Sequence, residues 1–131
     1  MHDAYAKAGR PDLLLTSLRR WSFFLADGYD TFGENWGWGT PVHGWSSTPS
    51  RDLVQMILGV TPGAPGFATA RISPAYGHVA TMSGSVPTPY GAIHVEVDGE
   101  QVTVTTPVPA ILVRPDGSEV EIEGGAQGWS A

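Results

Sequence analysis

Residues 92–105 constrain the fold more than any other stretch. Ala92 to Val97 alternates as AIHVEV, Asp98-Gly99 follows, and Val102 to Thr105 returns as VTVT. Alternation of period two on both sides of an Asp-Gly pair is the pattern of a β-hairpin with one buried face. A second Asp-Gly, at 116–117, separates Ile111–Arg114 from Val120–Ile122 in the same way. Further β-rich runs lie at Phe67–Ile72 and Val79–Met82. Short strands at this spacing predict an antiparallel sandwich. Pro87, Pro89, Pro107 and Pro109 are expected between the strands, protecting edges.

Upstream of Gly59 the pattern is helical. Pro11 and Asp12 suit a first turn. Leu14, Leu18, Trp21 and Leu25 then recur at helical spacing, and Gly28 is a stop signal. Leu13, Leu15, Phe23 and Phe24 add apolar surface off that stripe, so this helix needs partners on more than one side. His2 to Ala8 reads as the end of a preceding helix, broken at Gly9. A later helix starts between Gly44 and Pro49, runs through Leu53, Val54, Met56, Ile57 and Leu58, and stops at Gly59. TPGAPG then marks the change of style. The charge divides at the same place, with net −1 over 1–62 and −5 over 63–131. The length is that of one ordinary domain, yet two regions of different character share it.

Composition excludes several classes of chemistry. With no cysteine there is no disulfide, thiolate metal site or cysteine nucleophile. A net charge of −6 without a basic stripe is wrong for nucleic acid. No apolar run suits a membrane span, and Met1 to Pro11 does not read as a signal peptide, which leaves the compartment open. The histidines 2, 43, 78 and 94 lack metal-ligand spacing, so no metal or other cofactor is expected. Phosphate-loop, dinucleotide and nucleophile-elbow motifs are absent.

The residues left to carry chemistry lie in the loop 28–49, GYDTFGENWGWGTPVHGWSSTP. Glu34 stands between Phe32 and Trp36, with Asp30 nearby, and His43 precedes Trp45 by two residues. Aromatic rings with a few polar groups suit a sugar, the ring packing on the C–H face of a pyranose while polar groups take its hydroxyls. A carboxylate among aromatic rings can titrate high and serve as an acid or base. The plain readings stand beside these: a plug between helices, a solvated surface carboxylate and a hydrogen-bonded loop histidine.

TFGENW, HGWSSTP, a helix ending ILGVTPGAPGF, ARISP and V-x-TPYG-x-I-x-V occur in that order between about Tyr5 and Arg114. In this the chain resembles the C-terminal end of the bacterial α-L-rhamnosidases of glycoside hydrolase family 78. The resemblance implies an α+β chain. Residues 1–59 would be two or three helices and an active-site loop from an (α/α)6 six-hairpin barrel, and 60–131 a small antiparallel β-sandwich. It implies inverting hydrolysis of a rhamnose-containing glycoside or oligosaccharide, with Glu34 as general base and His43 in contact with the sugar. Trp36 and Trp45 fall at aromatic positions of the same region. The pattern departs at Gly33, where the family usually carries Trp, leaving Trp36 or Trp38 to replace that wall. The general acid and most of the pocket would lie in upstream barrel helices this chain lacks. A fragment inactive alone is therefore the expectation. Two other functions compete: a non-catalytic accessory or carbohydrate-binding module, for which Phe67, Tyr76, Tyr90 and Trp129 are the available aromatics, and a docking protein with apolar helix faces.

Overall fold

A computed structural model describes residues 1–37 and 39–124; Trp38 and Trp129 lie outside the described residues. The chain divides into one unit over Met1–Leu53 and a second from Val54 onward.

The first unit is helical. Helix α1 spans His2–Lys7 and ends at Gly9, whose φ of +63° only glycine adopts readily. Helix α2 spans Pro11–Leu18, with Pro at its first position. Asp12 is held by the Arg10 guanidinium through bonds of 2.8 and 2.7 Å. That hydrogen-bonded cation lowers its carboxyl pKa to about 2. The long helix expected through Leu25 is interrupted: Arg19–Trp21 tightens into a 3₁₀ turn before α3, Ser22–Ala26. This breaks the predicted stripe. Leu14 and Leu18 are buried, whereas Leu25 is 76% exposed. Leu15 and Phe24 are buried with them. Helix α4 is short, Thr48–Asp52.

The polar centre of this unit is a chain of hydrogen bonds that the sequence did not advertise. His2 Nδ1 lies 2.5 Å from Asp52 Oδ2, and its Nε2 lies 2.9 Å from Ser17 Oγ. The carboxylate of Asp52 has no solvent exposure and also accepts from Arg51 Nε at 2.9 Å. A buried carboxylate is tolerated only with such partners.

The chain enters the second unit through a π-helical turn, Leu53–Ile57, in place of the regular helix expected to Gly59. Gly59 has φ +80°, and a Cβ there would lie 2.1 Å from the Ser73 carbonyl oxygen. Only glycine fits between that carbonyl and the start of β1, Val60–Pro62. The other strands are β2 Ala70–Ile72, β3 Thr81–Thr88, β4 Gly91–Asp98, β5 Gln101–Thr105, β6 Ala110–Val113 and β7 Glu119–Ile122.

Two sheets result, ordered β1-β2-β6-β7 and β3-β4-β5. Their facing residues form one core, including Val60, Ile72, Leu112 and Ile122 from one sheet and Ile93, Val95, Val97, Val102 and Val104 from the other. Fully burying each such side chain stabilises by roughly 1.5–3 kcal/mol. The sandwich is therefore as expected in kind, but not wholly antiparallel, because β2 and β6 run parallel. Strand β1 was not anticipated, and β3 runs well past Met82. Pro87 lies within β3, paired with Ala92, rather than between strands. It is tolerated because β3 is an edge strand. Gly84 sits opposite Val95 on the buried face, where a Cβ would meet Leu58 at 2.8 Å. The polar look of SGS in β3 thus marks a place cleared for Leu58.

Candidate active-site loop

Gly28, at φ +78°, ends α3 and releases the chain into the loop. The loop doubles back on itself. Glu34 N donates to Thr40 O at 3.0 Å, His43 N to Phe32 O at 2.7 Å, and Thr31 Oγ1 to Pro41 O at 2.6 Å. Residues 31–34 therefore lie beside 40–43. Gly37 and Gly39 turn the chain between them with φ of +93° and +101°.

This return brings Thr40 onto Glu34. Glu34 Oε2 accepts from the Thr40 backbone N–H at 3.1 Å and from its hydroxyl at 3.2 Å. The same hydroxyl lies 3.3 Å from His43 Nδ1. Gly39 is a condition of the contact, because a Cβ there would stand 2.9 Å from both Cβ and Oε2 of Glu34. The carboxyl pKa is lowered, first by the Thr40 N–H, next by the Thr40 hydroxyl, and also by the charge of His43. The raised value that aromatic neighbours would cause is thus not found. Hydrogen bonds to the charged form outweigh desolvation at this exposed group.

The tryptophans separate into two roles. Trp45 is 92% exposed, with its ring edge-on to His43 at 6.0 Å. Trp36 is tied to the helical turn before α3. Its Nε1 donates to Arg20 O at 3.1 Å, Trp21 meets it edge-on at 5.4 Å, and the Arg20 guanidinium covers it at 4.4 Å. Trp21 in turn donates from Nε1 to Ser46 O at 3.0 Å, beside Trp45. So Glu34, Thr40, His43 and Trp45 form one group, while Trp36 anchors the loop.

Gly33 has a packing explanation. It is buried, and a Cβ there would stand 2.7 Å from Cε1 of Phe24, itself 5% exposed. The Phe24 ring fills the space that a side chain at 33 would need. Sequence reasoning missed Thr40 altogether. Its signal is the spacing E-x₅-T-x₂-H with Gly before Thr, which no periodicity reveals. No group of three or more His, Asp or Glu among the described residues could hold a metal ion. No helix among them is long and apolar enough to cross a membrane.

With this architecture in place, comparison with known proteins identifies the class. Residues 59–126 match the family model described as "Bacterial alpha-L-rhamnosidase C-terminal domain". The chain belongs to that family. It is 34% identical over 125 residues to an alpha-L-rhamnosidase of Alteromonas sp. (strain LOR), covering 79% of this chain and 14% of that protein. A crystal structure of a GH78 family rhamnosidase of Bacillus sp. GL1 superposes with a TM-score of 0.71 at 28% identity, covering 94% of this chain and 15% of that one. The chain thus spans about a seventh of the length of these relatives. Coverage of 94% also carries the similarity upstream of residue 59.

Proposed function

We propose that this chain is the C-terminal portion of an inverting α-L-rhamnosidase-like glycoside hydrolase. In this reading residues 1–59 contribute helices and the active-site loop to an (α/α)6 barrel, and 60–131 are its C-terminal β-sandwich. The substrate class is a rhamnose-containing glycoside or oligosaccharide. One observation carries the reading: a solvent-accessible carboxylate, Glu34, has one oxygen fastened by Thr40 and lies in one hydrogen-bonded chain with His43.

An inverting mechanism needs an ionised base on one face of the sugar and a protonated acid on the other, about 6.5–9.5 Å apart, with water between base and sugar. Glu34 suits the base. Hydrogen bonds to its charged form lower its pKa, so at neutral pH it stands ionised, as a base must before it takes a proton. It takes a proton from water as the water oxygen bonds the anomeric carbon. The glycosidic C–O bond breaks on the opposite side, and the acid protonates the departing oxygen. That acid belongs to the part of the relatives' length that this chain does not span. His43 takes a sugar hydroxyl, and the open face of Trp45 offers a platform for the pyranose C–H face. Trp36 holds the loop that carries them.

The test is Glu34→Gln in the full-length enzyme. Turnover should fall about 10²–10⁴-fold, the usual contribution of a general base, with substrate binding near normal. The product of the unmodified enzyme should appear first as the inverted anomer by NMR. Wild-type turnover in the variant removes Glu34 from the mechanism. A carbohydrate-binding role for the sandwich has little support, because Tyr90 is the one strongly exposed aromatic among its described residues. Tyr76 is half-buried and spends its hydroxyl on Val113 O at 2.9 Å, and Phe67 packs on the core.

A further inference from the structure

We propose that Thr40 is a positioning residue that sets the proton on His43: the ring is held as the Nδ1–H tautomer, and Nε2 is presented bare, as an acceptor for a hydroxyl of the bound sugar. This rests on the reading of Glu34 and His43 as sugar-site residues.

The argument is proton accounting. Thr40 has two polar hydrogens, one on its backbone nitrogen and one on Oγ1. Both can be given to Glu34 Oε2, at 3.1 and 3.2 Å. An ionised carboxylate only accepts, and bonds to an anion are roughly twice as strong as neutral ones. The hydroxyl hydrogen therefore belongs to Glu34. Thr40 Oγ1 then faces His43 Nδ1 at 3.3 Å with lone pairs only. That contact is a hydrogen bond only when Nδ1 carries the hydrogen. In a neutral imidazole the other nitrogen is then unprotonated.

Two consequences follow for the site. His43 Nε2 accepts from a donor hydroxyl and does not compete with it as a second donor. Glu34 is bound asymmetrically: among the described residues no hydrogen bond reaches Oε1, so that oxygen is left for the water. When Oε1 takes the water's proton, both Thr40 bonds can persist. The His43 backbone N–H, bonded to Phe32 O at 2.7 Å, anchors the main chain from which the ring projects.

The tautomer is directly measurable. The 131-residue chain, labelled with ¹⁵N-histidine, is examined by long-range ¹H–¹⁵N correlation at a pH where the ring is neutral. His43 should show a protonated Nδ1 and an unprotonated Nε2. Thr40→Val, which keeps the backbone N–H and shape but loses the hydroxyl, should move the hydrogen to Nε2. It should also raise the Glu34 titration midpoint, read from its ¹³C carboxyl signal, part of the way to the ordinary value. Thr40→Ser should behave as the wild type. An Nε2–H ring in the wild-type chain overturns the proposal whatever the variants do. So does a folded Thr40→Val chain indistinguishable from wild type. The glycosidase reading fails separately: wild-type turnover of Glu34→Gln in the full-length enzyme would remove it and leave the tautomer result standing.

Discussion

The two units of this chain solve the problem of burial differently. From Val54 on, alternating strands close around a core in which Ile72, Ile93, Val102 and Val104 have no exposure. The helical unit buries Leu14, Leu15, Leu18 and Phe24, yet leaves Leu25 at 76%, Val42 at 70% and Trp45 at 92% exposure. Among its described residues the most completely buried side chain is an acidic one, Asp52. A two-sheet sandwich encloses its own apolar faces, because each sheet has one inner face and meets another. A helix that is apolar on several sides needs neighbours on each, which four short helices do not supply. The candidate chemistry sits in the unit that is less closed, as functional loops commonly do.

The largest effect that would sharpen this contrast is expected from Asp52→Ala. Removing one partner of a buried pair typically costs about 3–5 kcal/mol, and it would leave His2 unpartnered at Nδ1. Hydrogen exchange should show protection lost in the helical unit. Unchanged protection there would mean that the pair does not hold the unit together. In the sandwich, Ile93→Ala should cost about 2–5 kcal/mol by urea unfolding, since the side chain is fully buried. Gly59→Ala combines a strained φ with a backbone clash, each worth about 1–3 kcal/mol. A near-neutral result at Gly59 would show that the β1 entry can shift.

Smaller effects probe surfaces. The exposed apolar side chains should bind a hydrophobic dye, and Leu25→Gln should reduce the fluorescence with stability changed by less than about 0.5 kcal/mol. A wild-type chain that binds no dye would end the contrast between the units. The Arg71–Glu119 pair, 2.7 Å apart on the outer sheet face, should be worth under about 1 kcal/mol by double-mutant cycle. For pH the sign follows from the Glu34 shift. A carboxyl whose folded pKa is depressed adds stability above its unfolded value, about 4.3, and loses it as pH falls through the folded pKa. The bonds of Glu34 with Thr40 should therefore survive below pH 4.3. Under the proposed function, a full-length enzyme should keep Glu34 ionised over the same range. Loss of both above that pH would contradict the hydrogen-bonded geometry.

Much of the fold was legible where a local rule decided it. Strands β4 and β5 lie where alternation placed them, although Asp98 pairs with Gln101 and leaves Gly99–Glu100 as the turn. The second turn uses Asp116 differently: its carboxylate accepts from the Ser118 N–H at 2.8 Å inside a longer loop. Gly9, Gly28 and Gly59 end helical segments as expected, each with positive φ. The misses occur where a partner distant in sequence decides. Strand β1 is only three residues and pairs with β2 on one side. Gly84 lies within β3, beyond the run expected to end at Met82, and its place is decided by Leu58, 2.8 Å from where its Cβ would stand.

The same division holds for the candidate site and for the molecule. Period-two alternation, glycine at left-handed turns and the absence of cysteine are properties of single residues and near neighbours. The sequence alone therefore determined a β-rich second half, a helical first half and a loop containing Glu34 and His43. The parallel pairing of β2 with β6, the burial of His2 with Asp52 across fifty residues, and the fit of Phe24 against Gly33 are decided by packing. Thr40 belongs with these. Its hydrogen bonds to Glu34 exist only because the loop returns on itself, and that return is a tertiary event with no period to announce it.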